Sequence, residues 1–156
     1  MTPEVAQSIT INAMPSKVLE AFFDGKALAA WWEVSRAVCV PRPLGSYAVE
    51  WEPTEWRDDI LGRLGGSFHG TVVDFVVGRE FFIAELYWHP PDGDPIGPMA
   101  LEVTCTYKGP FTAELHVRQS GCDADSPRWL RYYEVMQSGW SVALAALKKY
   151  LEQRAA

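Results

Sequence analysis

Side chains able to do chemistry are sparse in this sequence, and their spacing argues against catalysis. His69, His89 and His116 stand far apart and form neither an H-x-x-x-H nor an H-E-x-x-H pattern, which would set two imidazoles on one helix face around a metal. His116 also alternates with Leu115 and Val117, which places it on the outer side of its strand. Cys39, Cys105 and Cys122 are odd in number and lack C-x-x-C spacing, so reduced thiols are expected rather than a disulfide framework or a zinc knuckle. No serine or cysteine occupies a nucleophile motif, and no glycine-rich phosphate loop is present. Asp58 and Asp59 are the nearest thing to a carboxylate pair, but adjacent residues on a helix do not face each other. The sequence therefore assigns no catalytic residue, no metal ligand and no cofactor, and it favours binding over turnover.

What it offers instead is aromatic. Seven tryptophans, seven phenylalanines and six tyrosines are enough to line a pocket as well as fill a core. Strand alternation puts Phe82, Ala84, Leu86 and Trp88 on one face, as it does Leu101, Val103, Cys105 and Tyr107, then Leu115, Val117 and Gln119, and Tyr47, Val49 and Trp51. Tyr133, Met136 and Trp140 would meet these faces from a helix. The predicted ligand-binding set is thus Tyr47, Trp51, Trp56, Phe82, Trp88, Tyr107, Gln119, Tyr133, Met136 and Trp140. Close-packed core is the competing reading for most of them, because interiors fill to high density. The polar-tipped aromatics suit a mainly apolar site with a few anchoring groups.

The elements that must position these residues are legible in the periodicity. Trp140, Leu144, Leu147 and Leu151 recur at helical spacing, and Ser126 and Pro127 are fit to start a helix that runs from Ser126 to Gln153. Gly139 interrupts it at a cost of about 1 kcal/mol relative to alanine, which suggests either a close backbone contact or room for a cavity beside Trp140. At the other end, Ser8 to Asn12 reads as a strand, Pro15 opens a helix bearing Val18, Leu19, Phe22 and Phe23, and Lys26 to Trp32 reads as a second short helix. Six strands follow: Glu33 to Val40, Ser46 to Trp51, Ser67 to Val77, Glu80 to Trp88, Met99 to Lys108 and Phe111 to Ser120, with short turns that imply antiparallel neighbours. Between the second and third of these, Pro53 to Gly66 is too long for a hairpin. Trp56, Ile60 and Leu64 recur every four residues there, which predicts a short amphipathic helix that packs on the outside of the sheet, meets a protein partner, or covers one mouth of a cavity with Trp56 directed inward.

Length and charge bound the rest. A chain of 156 residues is expected to form one domain over 1–156, and a formal charge of −6 without any basic run speaks against nucleic acid and anionic membrane as partners. No stretch approaches the ~20 apolar residues of a membrane helix and no signal-like start is present, so membrane insertion is not expected and a cytoplasmic location is.

Several short motifs carry a family resemblance. The strand-to-helix opening with Pro15, the Trp31-Trp32 pair, Leu44-Gly45-Ser46-Tyr47, Gly70-Thr71-Val72, Gln119-Ser120-Gly121 and Gly139-Trp140 with Leu144 and Leu147 resemble the START-like (SRPBCC) superfamily. Within it they resemble the branch named for the activator of heat-shock protein 90 ATPase. Gln119 stands where histidine is common in relatives. The resemblance implies an α+β helix-grip (START-like, Bet v 1-like) fold: a curved seven-stranded antiparallel sheet wrapped around a long C-terminal helix, with two short helices after the first strand. It also implies a cavity for an apolar small molecule between sheet and helix. Other members include lipid and hormone carriers, polyketide cyclases, antibiotic self-resistance proteins and chaperone co-factors, so a cyclase-, dehydratase- or hydrolase-type enzyme using the same cavity and a protein that regulates a chaperone or pairs with a second copy of itself are the alternatives.

Overall fold

In the computed structural model, which describes residues 3–154, the opening strand-to-helix passage is present. β1 (Val5–Ile11) leads into α1 (Pro15–Glu20), where proline fits the first turn because its missing N–H would have no partner there. Asp24 then caps α2 (Gly25–Trp31) by accepting the Ala27 N–H at 3.1 Å. The strands β2 (Arg36–Cys39) and β3 (Ser46–Trp51) follow, then a hairpin of two-residue strands, β4 (Arg57–Asp58) and β5 (Gly62–Arg63). β6 (Gly66–Val76), β7 (Glu80–His89), β8 (Ile96–Gly109) and β9 (Thr112–Ser120) complete the strands, and α3 (Pro127–Arg154) ends the described chain.

All pairings are antiparallel, and the main sheet runs β1-β9-β8-β7-β6-β3-β2. Register shifts in the β6–β7 and β7–β8 pairs add local twist, and such bulges let a sheet curl around a helix. Trp140, Leu144, Leu147 and Leu151 form the buried seam of α3. Lys148 Nζ donates to Thr10 O at 2.8 Å and the Asn12 N–H donates to Glu152 Oε2 at 2.9 Å, tying the far end of the helix to the β1 edge. This is the α+β helix-grip fold with seven strands in the main sheet.

Two local expectations fail for identifiable reasons. Phe82 was expected to share a face with Leu86 and Trp88, but Phe81 and Ile83 are the buried residues of that half of β7. Glu85, at φ 52°, is an extra residue opposite β6 and β8 and resets the alternation, so Phe82 faces away from the core. The stretch Pro53 to Gly66 is no helix: the β4–β5 hairpin replaces it, leaving Trp56 69% and Ile60 49% exposed. Its glycines favour the turn over the helix. Gly66 closes the segment at φ 88°, where a Cβ would lie 2.0 Å from the His89 carbonyl oxygen, so only glycine lets β6 start so close to β7.

The core divides into two halves. Under α1 and α2 it is solid: Phe22 meets Trp31 and Phe81 edge-on at 5.1 and 5.4 Å, and the Tyr47 hydroxyl donates to Phe22 O at 2.8 Å. The other half, under the N-terminal part of α3, is not filled.

Candidate functional site

The unfilled half is a cavity of ≈ 460 Å³ between β3, β6, β7, the β4–β5 hairpin and α3. Its walls are aromatic. Trp32 contacts Trp51 and Trp140, each at 5.0 Å between ring centres, Trp51 meets Phe68 edge-on at 5.1 Å, and Trp88 stacks on Tyr132 at 5.1 Å. Leu61, Leu64, Val135 and Met136 complete the apolar surface.

Three wall indoles have their N–H groups committed to the protein. Trp51 Nε1 donates to Trp32 O, Trp88 Nε1 to Gly65 O, and Trp140 Nε1 to Gln119 Oε1, each at 2.8 Å. Those bonds fix the rings and leave carbon surface toward the cavity. Gln119, fully buried, stands behind the wall: its Nε2 donates to the Tyr132 hydroxyl at 3.2 Å and lies 3.4 Å from Met99 Sδ. Burial holds the Tyr132 hydroxyl well above its ordinary pKa, so it stays neutral.

The mouth is set by a flaw in the helix. A Cβ on Gly139 would meet nothing within 4 Å, so the glycine opens space instead of admitting a neighbouring backbone. An outer groove between α2 and α3 meets the cavity at Trp32, Glu33, Leu64, Val135 and Gly139. On the hairpin side, Arg131 of α3 clamps Asp58 at 2.7 Å, while the Ile60 and Leu61 N–H groups each donate to Asp58 Oδ2 at 3.0 Å. The Arg131 guanidinium first and the Leu61 N–H next hold the Asp58 carboxyl down at about 2. This clamp keeps Leu61 and Leu64 against the cavity.

Of the residues singled out from the sequence, the structure brings Trp51, Trp88, Met136 and Trp140 together around the cavity. Gln119 lies one layer behind. Tyr47 is buried in the solid half, and Tyr133 is buried on the side of α3 turned toward β1, beside Glu4 and Ala6. Phe82 faces outward, Tyr107 is 57% exposed at the far end of β8, and Trp56 borders the outer groove. Trp32, Tyr132, Phe68 and Leu61 line the cavity and escaped the sequence reading; Leu64, which shared the Trp56 stripe in that reading, lines it too. Tyr132 could have been found: at about 100° per residue, Met136 and Tyr132 continue from Trp140 in steps of four and lean to one side of the buried seam. The histidines lie elsewhere: His69 and His89 stack on the sheet's outer face and share a hydrogen bond at 2.6 Å.

The fold and this site define a START-like helix grip with an aromatic cavity. No family model and no curated protein sequence matches the chain, and the likeness to known proteins lies in structure. Protein MLL2253 from Mesorhizobium loti superposes with a TM-score of 0.72 at 18% identity, covering 97% of this chain and 98% of that one. The AHSA1 protein from Silicibacter pomeroyi gives 0.68 at 17% identity over 97% and 99% of the two chains. The Aha1 dimer from Colwellia psychrerythraea gives 0.66 at 15% identity over 96% of each. At such identities the likeness is one of fold, the helix-grip fold that these neighbours share with this chain.

Proposed function

We propose that residues 1–156 act as one START-like domain that binds a hydrophobic or aromatic small molecule between the sheet and α3. The supporting observation is the aromatic cavity itself. It lies within the size range of small-molecule sites, and the indole donors of Trp51, Trp88 and Trp140 are already satisfied by protein, so an apolar guest meets mainly carbon surface. Titration with the neutral fluorophore N-phenylnaphthylamine tests it. Saturable one-to-one enhancement that competing alkanols abolish is expected, and an unsaturable linear response would overturn the reading.

Two further expectations belong to the same proposal. The Colwellia neighbour is described as a dimer, which favours a second copy of this chain as a partner, readable by sedimentation velocity. Three free thiols suit the reducing cytoplasm, and no helix among the described residues is long and apolar enough to cross a membrane.

A further inference from the structure

Among the described residues, the two charged ones that line the cavity are both acidic, Glu33 and Glu52, and no lysine or arginine joins them. Neither carboxylate takes part in an ion pair among the described residues; of the cations around the mouth, Arg63 donates to Thr54 O at 3.3 Å, while Arg36 and Arg131 are paired with other carboxylates. Arg36 forms a two-point contact with Glu50 at 2.8 and 3.0 Å, and Arg131 holds Asp58 and Glu134 at 2.7 and 3.0 Å. The mouth of the cavity therefore presents two acidic residues outside any ion pair among the described residues, next in sequence to the wall indoles Trp32 and Trp51.

Glu33 is also placed against local preference. It follows α2 in the left-handed region, at φ 57°, where the chain folds back so that the Val34 N–H reaches Leu28 O at 3.3 Å. Glycine or asparagine is the usual residue at such a position, and a carboxylate is disfavoured beside the negative end of a helix. Violations of local rules concentrate at functional sites, where another gain offsets them. The available gain is at the mouth, since Glu33 borders both the cavity and the outer groove.

We infer that the ligand carries a positive charge: an apolar or aromatic body held in the cavity, with an ammonium group at the mouth facing Glu33 and Glu52. Cations bind well over tryptophan faces, and the carboxylates add attraction from the same side. An anionic headgroup would be repelled. This inference rests on the cavity reading above and adds a sign to it.

A matched set of probes tests it: octyltrimethylammonium, octanol and octanoate share a tail and differ in head charge. Isothermal titration at neutral pH and low salt should rank them ammonium, alcohol, acid, with the ammonium at least about tenfold tighter than the acid, the order of one cation–π contact plus two exposed charge pairs. In the E33Q/E52Q double variant that advantage should collapse while octanol binds as before. Added salt should shrink it in the parent. Equal affinity for all three heads, or an ammonium preference that survives in the double variant, would overturn the inference and leave the cavity reading standing. Failure of octanol itself to bind would remove the cavity reading and this inference with it.

Discussion

Trp140 Nε1 donates to Gln119 Oε1 at 2.8 Å, joining the central tryptophan of α3 to a fully buried amide on β9. The same amide reaches Tyr132, eight positions earlier on the helix. One side chain of the sheet thus fixes two rings of the cavity wall and sets the rotation of α3. Gln119→Leu would leave a buried indole N–H without an acceptor. A loss of about 1–3 kcal/mol is expected in urea unfolding, together with weaker probe binding. A loss within about 0.5 kcal/mol would show that the network does not orient the helix.

Trp140→Ala should be costlier, because the ring is 1% exposed and packs against Trp32 at 5.0 Å. Large-to-small aromatic changes in cores cost about 3–5 kcal/mol. Urea unfolding reads the value directly, and a loss under about 1 kcal/mol would contradict the gripped seam.

Gly139→Leu separates stability from binding. Open space at the Cβ position and the better helix propensity of leucine predict an unchanged or slightly higher stability, by up to about 0.8 kcal/mol. The new side chain should reach into the mouth and block N-phenylnaphthylamine. A folded variant that binds as well as the parent would move the entrance elsewhere.

The grip was legible from the sequence because its signals are long: a 28-residue helix with a regular buried seam and strands with clean alternation. The cavity was half legible. Trp51, Trp88, Met136 and Trp140 were recovered because simple alternation and helical spacing hold where they sit. Phe82 was misplaced because a single extra residue, Glu85, inverts every side chain before it on β7. Trp56 was misplaced because spacing by four suggests a helix, while Gly62, Gly65 and Gly66, all at positive φ, build a hairpin. Its neighbours Leu61 and Leu64 face the cavity instead. Which half of an aromatic core stays unfilled depends on long-range packing that no local period records.

The Asp58–Arg131 clamp predicts an acid-sensitive hairpin. Asp58 titrates at about 2 in the folded protein against an ordinary 3.8, so the native state binds this proton more weakly than the unfolded chain does. Its contribution is therefore complete above about pH 4 and is lost as the pH falls toward 2. Asp58→Asn should flatten the dependence of stability on pH in that window, as followed by tryptophan fluorescence in urea at several acidities. An identical slope in parent and variant would show that the clamp does not couple to folding.

Glu33→Gly tests whether the mouth trades stability for recognition. At φ 57° a residue with a Cβ sits in a left-handed conformation that costs roughly 1–2 kcal/mol, which glycine avoids, although glycine also raises the entropy of the unfolded chain. The net expectation is a gain of a few tenths to about 1 kcal/mol, helped by removing a carboxylate from the negative end of α2. Octyltrimethylammonium should meanwhile lose much of its advantage over octanol, because one of the two carboxylates at the mouth is gone. Thermal unfolding and titration of the same preparation read both effects. A variant less stable than the parent would mean that the Glu33 side chain supports the fold, and the conflict between its position and local preference would then have a structural cause.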